Sequence, residues 1–258
     1  MKQKIIKTKA KEIFTKTNLP GADYVINQYI GCSHGCTYCY ARFISRWKGH
    51  GNWGTWIETK INAPDLVRGR KISGKVFMSS VSDAYQPAEK ELMLTQRILE
   101  NLDKSTQLSI LTKSDLILRD IDLLKQFKNI EVGFTVNSFK GKRRNLFEPS
   151  SPDTLRRIMA MKELKKHGIK TFAFVSPIIP ELFDLSEVVK NTRDFADYFW
   201  FEFINLRGAG KEFKEILSHN YPESLKTIQD KQKVNLYIQN IVSEVRKSGV
   251  KIKGIEIH

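Results

Sequence analysis

The residues Gly31–Arg42 read GCSHGCTYCYAR and contain all three cysteines of this 258-residue chain, Cys32, Cys36 and Cys39. This C-x3-C-x2-C spacing holds three thiolates close together in a loop interrupted by glycine, and thiolates select zinc, copper(I) or iron–sulfur clusters. A closed zinc site or an ordinary four-iron cluster takes four protein ligands. Three cysteines would leave one iron open to an external ligand. The stretch therefore predicts an open, thiolate-bound metal centre.

Three alternative roles for the cysteine loop stay open. The cysteines could be neighbours in an apolar core, although the glycines favour a loop wrapped around a ligand. A zinc site could be completed by His34 or His50. Cys36 and Cys39 alone have the spacing of a redox C-x2-C pair, but that hypothesis leaves Cys32 unexplained.

The length and composition indicate one globular domain. The hydrophobic content is 41%, and we expect a single domain over 1–258, with its core at about 23–207 and a C-terminal helical and strand extension at 208–258. The sequence contains no apolar run of about 18 residues, so we expect no membrane partner. The start, MKQKIIKTKAKEIF, has no apolar segment typical of a secretory signal. Thiolate ligands suit a reducing compartment, so we expect a cytoplasmic protein.

The formal net charge of +15 favours an anionic partner or substrate. The lysines are scattered along the chain, however, as in many basic proteins that bind no nucleic acid. The pairs Arg143-Arg144 and Arg156-Arg157 are expected to be solvated or ion-paired at the surface. Charge alone therefore raises a DNA or nucleotide partner as a hypothesis and does not decide it.

Short β-rich runs alternate with longer helical patterns along most of the chain. This alternation predicts an α/β fold with a parallel sheet and right-handed crossovers, in the form of a partial (β/α)6 TIM-like barrel. Strands are predicted at 24–30, 75–79, 108–112, 130–136, 169–175 and 198–205. Helices are predicted at 87–102, 116–127, 152–167 and 185–196, with a last helix at 230–247 and a short strand at 251–257.

Polar residues gather where the predicted strands end. In parallel α/β folds the chemistry lies at the C-terminal ends of the strands, so the metal site and its neighbours are expected there. Cys32 follows the first strand. The later strands are followed by Ser79–Asp83, Thr112–Ser114, Thr135 with Asn137 and Ser138, Ser176-Pro177 and Asn205–Arg207.

The cysteine spacing, with Tyr38 before the last cysteine, resembles the signature of the radical S-adenosylmethionine (SAM) superfamily. Further segments resemble its spore photoproduct lyase-like branch, also described as DNA-repair photolyase-like. These segments are GCSHGCTYCYARF, WGTWIETKINAP, SSVSDAYQPAEK, LTKSDLILRDIDLLK and the pair Glu148-Pro149 leading to Thr154–Arg157.

The resemblance implies a lyase-like enzyme with a 4Fe–4S cluster on Cys32, Cys36 and Cys39. SAM would bind the open iron and yield a radical that abstracts hydrogen, with electrons from an external donor of flavodoxin or ferredoxin type. By the same resemblance, Ser82 and Asp83 would contact the methionine ammonium, Lys113 its carboxylate, Thr135, Asn137 and Ser138 the ribose, and Tyr38 the adenine. A turn-forming Asp83, a solvated Lys113 and ordinary strand-end capping by the last three are the structural alternatives.

One departure from the family concerns the catalytic candidates Ser80, Tyr40 and Tyr85. Spore photoproduct lyases carry a hydrogen-donating cysteine at the position of Ser80, and a serine O–H bond is too strong to replace it. Tyr40, or secondarily Tyr85, could return the hydrogen atom instead. We expect SAM to be consumed in each turnover.

The resemblance favours a nucleic-acid or nucleotide substrate. The segment RFISRWKGHGNWGTW, at 42–56, interleaves aromatic and basic residues that could stack bases. Its tryptophans, Trp47, Trp53 and Trp56, could equally form a lid over the metal centre. Radical modification of a small nucleoside, natural product or peptide is the enzymatic alternative, and a zinc-stabilised nucleic-acid-binding protein is the alternative from another class.

Overall fold

The computed structural model describes residues 3–258, and its main element is an eight-stranded sheet beside a smaller three-stranded one. The strands are β1 (Lys4–Thr8), β2 (Phe14–Lys16), β3 (Tyr24–Ile26), β4 (Tyr29–Ile30), β5 (Trp56–Lys60), β6 (Lys75–Met78), β7 (Gln107–Thr112), β8 (Asn129–Val136), β9 (Lys170–Ile178), β10 (Tyr198–Phe203) and β11 (Ile252–Glu256).

Helices connect the strands and cover the outside of the large sheet. They are α1 (Ile44–Lys48), α2 (Ala63–Val67), α3 (Glu89–Leu92), α4 (Leu94–Asn101), α5 (Ile121–Leu124), α6 (Gly141–Phe147), α7 (Thr154–Lys166), α8 (Leu185–Thr192), α9 (Leu206–Asn220), α10 (Pro222–Gln229) and α11 (Lys231–Lys247), with 3-10 helices at Tyr40–Phe43 and Asp115–Asp120. Over residues 3–258, none of the helices combines the length and the apolar character that crossing a bilayer requires.

The large sheet has the strand order β11-β10-β9-β8-β7-β6-β3-β2. Neighbouring strands from β3 to β11 in this order pair in parallel, and β2 joins β3 antiparallel at one edge. Within the described residues the edge strands β2 and β11 do not pair with each other, so the barrel stays open. The predicted α/β fold with a partial TIM-like barrel is confirmed.

The predicted strand at 24–30 is divided between the two sheets. β3 pairs with β6 in the large sheet, whereas β4 pairs antiparallel with β5 in the small one. The two residues between them are held by long-range hydrogen bonds: the Asn27 side chain accepts from Ser80 N at 2.8 Å, and Gln28 Nε2 donates to Thr95 Oγ1 at 2.9 Å. These contacts, which the local sequence does not show, turn the chain from one sheet to the other.

The predicted helix at 87–102 is broken at Met93, whose φ is +48°. The cause is the buried carboxylate of Glu89, which accepts hydrogen bonds from Thr95 N at 3.0 Å and Gln96 N at 3.3 Å. A side chain from α3 thus caps the first turn of α4, where backbone N–H groups lack helical partners. The break also lets Glu89 accept from the Tyr29 hydroxyl.

Several stretches outside the predicted elements are also ordered. The sequence pattern missed the small sheet's strands β1 and β5, and it missed α9 and α10. α9 bends at Gly210, whose φ of +83° is non-helical, and this bend interrupts the apolar period of the helix. The predicted helix at 230–247 is α11, and Asp230 caps its first turn by accepting from Gln232 N and Lys233 N.

Candidate active site

A cavity of about 460 Å³ occupies the open interior of the barrel and reaches the C-terminal ends of its strands. All three cysteines line it, so the loop quoted first in the sequence faces this space. Other residues predicted for the site also line the cavity: Tyr38, Tyr40, Ser80, Ser82, Asp83, Lys113 and Thr135. The strand-end rule therefore brings most of the predicted site together.

The cysteine loop is shaped by close backbone packing at its start. Gly31 has a φ of +84°, and a Cβ there would lie 2.7 Å from the Trp56 carbonyl oxygen. Only glycine fits this approach without displacing β5. Tight turns follow, in which Gly35 N donates to Cys32 O and Cys39 N donates to Cys36 O. After these turns Cys32, Cys36 and Cys39 all line the same cavity.

The three thiols are free, and Cys32 and Cys36 are buried. Burial raises the pKa of each thiol, for Cys39 to about 12, and the nearby thiols reinforce the increase for Cys32 and Cys39. Neutral thiols are therefore favoured until a cation compensates the thiolate charge. A metal centre supplies that cation and deprotonates its sulfur ligands.

The two histidines proposed as a fourth ligand make other contacts. His34 Nε2 lies 3.3 Å from Asp83 Oδ2, and its Nδ1 lies 3.3 Å from Ser150 O. His50 Nε2 lies 2.8 Å from Glu58 Oε1. Across residues 3–258, no three His, Cys, Asp or Glu side chains converge as a ready set of metal ligands, and this holds for the three cysteines as well as for the histidines. The placement of the histidines does not support the zinc alternatives.

Asp83 lies at the wall of the cavity and is buried. Its carboxylate accepts from Thr112 Oγ1 at 2.6 Å, from Lys113 N at 2.8 Å and from Tyr85 N at 2.8 Å. Burial acts to raise the pKa of this carboxyl, but His34 and these donors outweigh it and lower the pKa to about 2. Asp83 is thus ionised, and it also forms the turn that was the structural alternative.

Lys113 is directed into the cavity rather than into solvent. Its Nζ lies 3.4 Å from Thr135 Oγ1 and 5.7 Å from the centre of the Tyr38 ring. Burial acts to lower the pKa of Lys113, but the charges of Cys36 and Glu148 outweigh it and raise the pKa. The ammonium is therefore charged and faces the same cavity as the cysteines.

A buried ion pair lies beneath the loop, and the sequence did not mark it as part of the site. Glu148 and Arg157 are both fully buried and form a salt bridge. The Tyr38 hydroxyl also donates to Glu148. The prediction of Arg157 at the surface is wrong, and only its exposed neighbour Arg156, paired with Asp115, fits that prediction. The Glu148-Pro149 pair stood out in the sequence as part of the family resemblance. The sequence did not indicate that Glu148 would pair with Arg157.

Two residues expected at the ribose lie outside the cavity. Asn137 Nδ2 donates to Glu148 Oε1 at 3.1 Å, and its Oδ1 accepts from Phe139 N at 3.2 Å. Ser138 Oγ donates to Leu182 O at 3.3 Å. β8 ends at Val136, and the chain then turns away from the cavity. The Asn137 and Ser138 side chains therefore form hydrogen bonds with neighbouring loops. The structure thus matches the capping alternative at both positions.

The three catalytic candidates occupy different surroundings. Tyr40 and Ser80 line the cavity together, and the Tyr40 hydroxyl donates to the Ser80 carbonyl oxygen. Tyr85 is completely buried in the core and does not line the cavity. The structure therefore separates Tyr85 from the other two, because its side chain packs in the main core.

The three tryptophans of the segment at 42–56 also differ in their surroundings. Trp53 and Trp56 are buried beside the cysteine loop, with ring centres 6.4 Å apart. Trp47 is 80% exposed and packs edge-on against Phe43 at 5.0 Å. The first two tryptophans pack against Cys32 of the loop, and Trp47 is exposed on α1, which follows the loop along the chain.

Comparison with known proteins decides the family. The model of the radical SAM superfamily matches residues 26–190, which include the cysteine loop and the strands β4 to β9. The chain belongs to the radical SAM superfamily. This radical SAM protein is therefore an enzyme, and the open metal centre predicted from three cysteines is the family's hallmark.

Individual relatives extend the similarity beyond the family domain. The radical SAM chain is 51% identical over 257 residues to the uncharacterized protein MJ0683 of Methanocaldococcus jannaschii, covering 100% of this chain and 99% of that one. It is 29% identical over 217 residues to the uncharacterized protein ORF301 of Acidianus two-tailed virus, covering 75% of this chain and 71% of that one.

Solved structures show the same fold. Spore photoproduct lyase complexed with dinucleoside spore photoproduct aligns with a TM-score of 0.58 at 19% identity, covering 84% of this chain and 66% of the lyase. A variant of that lyase with bound AdoMet and the same ligand aligns with a TM-score of 0.60. The radical SAM chain thus spans about two thirds of the lyase, and the expected likeness in fold is confirmed.

Proposed function

We propose that this radical SAM enzyme holds a 4Fe–4S cluster on Cys32, Cys36 and Cys39 and acts on a nucleic-acid or nucleotide substrate. The observation that carries the proposal is the meeting of three free thiols, a carboxylate and an ammonium at one cavity. When bound, the reduced cluster and SAM would supply a 5′-deoxyadenosyl radical able to abstract hydrogen from the substrate. An external one-electron donor of flavodoxin or ferredoxin type would reduce the cluster, and free thiols suit the reducing cytoplasm.

Asp83 and Lys113 are the residues that would hold the two charged ends of the methionine moiety. Asp83 is ionised and lines the cavity, so its negative charge would attract the methionine ammonium. Lys113 is charged and directed into the cavity. Ser82 and Thr135, which line the same wall, would add hydroxyl contacts, and Tyr38 an aromatic face. Asn137 and Ser138 are left out of this assignment.

Asp83→Asn should weaken SAM binding about tenfold or more, because a charge-assisted hydrogen bond contributes about 1.5–3 kcal/mol. The measurement is calorimetric titration of SAM into anaerobically reconstituted protein. Asp115→Asn is the matched control, since Asp115 forms only an outer ion pair with Arg156. Equal SAM affinity in the Asp83 variant and the control would remove Asp83 from the binding site.

The fate of the abstracted hydrogen atom depends on which hydrogen donors lie near Ser80. No thiol stands there, and the described residues contain no cysteine outside the cluster loop. We propose that SAM is consumed in each turnover. Tyr40 is the tyrosine placed to return hydrogen in a recycling enzyme, because it shares the cavity with Ser80. A ratio of 5′-deoxyadenosine to product near unity supports consumption, and a ratio far below it supports recycling.

An exposed aromatic side chain on the helix after the cysteine loop favours a nucleic-acid substrate. Trp47 is the most exposed of the large apolar side chains described; Arg46 precedes it, and Lys48, which is paired with Glu58, follows it. An exposed indole among cations can stack a base while the cations attract phosphate. Spore photoproduct lyase, which shares the fold, was solved with a dinucleoside photoproduct. A free nucleoside, natural product or peptide is the alternative substrate for the same cavity.

Trp47→Ala should weaken binding of a short single-stranded oligothymidylate about five- to a hundredfold, because stacking on an aromatic ring contributes about 1–3 kcal/mol per base. Fluorescence anisotropy of a labelled oligonucleotide at fixed salt measures this change. Leu236→Ala is a suitable control, since Leu236 is 59% exposed but lies on α11. If both variants bind the oligonucleotide as the wild type does, Trp47 is not part of a nucleic-acid surface.

A further inference from the structure

The last three strands of the barrel turn polar and aromatic side chains into the cavity opposite the cysteine loop. Along β10 the side chains alternate: Phe199 and Phe201 are buried in the core, whereas Trp200 and Glu202 are half-buried and line the cavity. Successive residues of a strand point to opposite faces, so this pattern gives the cavity its own wall. None of the residues proposed above to hold the cluster or SAM belongs to this wall.

The strand register arranges the wall in two rows. In the first row Trp200 lies beside Phe174 of β9 and Gly254 of β11. A Cβ at Gly254 would lie 1.9 Å from Trp200 Cζ3, so the indole rests directly against the glycine backbone. Glycine at this position gives the row a broad aromatic surface facing the cavity.

The second row is polar and lies closer to the C-terminal ends of the strands. Ser176 Oγ donates to Glu202 Oε2 at 2.6 Å, and His258 Nε2 lies 3.3 Å from Glu202 Oε1. Glu256, the register partner of Glu202 on β11, lines the cavity as well. The carboxylates of Glu202 and Glu256 therefore lie side by side, two residues further along their strands than the aromatic row.

The charge of this row selects the group that binds there. Glu202 and Glu256 would repel a phosphate, whereas carboxylate oxygens accept hydrogen bonds from N–H groups. Each oxygen of Glu202 has one partner within the chain and a further lone pair to offer.

We propose that Glu202, positioned by Ser176 and His258, binds the N–H edge of a nucleobase whose ring lies against Trp200 and Phe174. The proposal rests on the proposed function, because it names the part of a nucleic-acid or nucleotide substrate that enters the cavity. The sugar–phosphate portion would lie beyond the two rows, toward the C-terminal ends of the strands. Glu202 is thus a specificity-determining residue on the wall opposite the cysteine loop.

Nucleoside binding to the reconstituted protein tests the subsite. Guanosine, cytidine and adenosine are the probes, measured by calorimetry, with 1-methylguanosine as a comparison ligand that lacks the N1–H donor. We expect at least one of the three nucleosides to bind, and Glu202→Gln to weaken that binding about tenfold, the loss typical of a charge-assisted hydrogen bond. Glu215→Gln, an exposed carboxylate of α9, is the control for a change of one charge.

The comparison ligand makes the test independent of folding. Where guanosine binds, 1-methylguanosine should bind the wild type about tenfold more weakly, and the two ligands should bind Glu202→Gln alike, as expected for one shared interaction. Failure of all three nucleosides to bind the wild type, or their equal binding to Glu202→Gln, would overturn the subsite. A wild type that binds nucleoside but does not cleave SAM would instead contradict the proposed function and leave the subsite standing.

Discussion

Replacing Cys36 by alanine should slow reductive cleavage of SAM at least about a thousandfold, which corresponds to roughly 4 kcal/mol of activation free energy. Each cysteine is expected to supply one corner of the same cluster, and the chain has no fourth cysteine to substitute for it. Cys32→Ala and Cys39→Ala should give the same loss. The measurement is the rate of 5′-deoxyadenosine formation with excess reductant under anaerobic conditions.

Thr37→Ser is the matched control for the cysteine variants. Thr37 lies in the same loop, but its hydroxyl donates to Leu146 O at 3.4 Å and it does not line the cavity. The control should therefore fold, bind iron and cleave SAM at a rate close to that of the wild type. Cleavage by all three cysteine variants at the rate of this control would show that the reaction does not use the thiols.

The second large effect concerns stability. Arg157→Met should lower the free energy of unfolding by about 3–5 kcal/mol, because it leaves the fully buried Glu148 carboxylate without its counter-charge. The loss should be visible as a lower midpoint in urea denaturation with an unchanged slope. Arg156→Met removes the adjacent, exposed ion pair with Asp115 and should lower the free energy of unfolding by at most about 1 kcal/mol. Equal effects of the two substitutions would contradict the buried pair.

The same pair gives the acid dependence of stability a definite sign. Burial acts to raise the pKa of Glu148, but Arg157 and Lys113 outweigh it and lower the pKa from 4.5 to about 2. Because the folded-state pKa is depressed, the ionised pair stabilises the fold above about pH 4.5 and this contribution is lost as the pH falls towards about 2. In Glu148→Gln this contribution should be absent throughout that range.

The strands of the barrel could be predicted because burial on both sides leaves continuous apolar runs. β6 to β10 begin and end within a few residues of the predicted ranges. The failures at 24–30 and 87–102 have a common cause. In both, side chains distant in sequence determine the local geometry: Asn27 binds the Ser80 loop, and Glu89 caps α4. Local periodicity carries no signal for such contacts.

The candidate site shows the same contrast between local sequence pattern and long-range contact. The cysteine loop, Asp83 and Lys113 could be predicted from the sequence because a motif and the strand-end rule marked them. The pairing of Glu148 with Arg157 and the placement of Glu202 depend on strand register and on side-chain direction, which only the folded chain supplies. Asn137 and Ser138 show the reverse: they follow a strand end, yet the turn after Val136 directs them into neighbouring loops.

Metal analysis of the anaerobically reconstituted protein tests the central claim most directly. We expect about four iron and about four acid-labile sulfide per chain, held by the three cysteines of the loop, and an absorbance band from thiolate-to-iron charge transfer. Addition of SAM should then change the electron paramagnetic resonance spectrum of the reduced cluster, because SAM would bind its open iron. Stoichiometric zinc without iron or sulfide in protein prepared under the same conditions would contradict the cluster and the radical chemistry built on it.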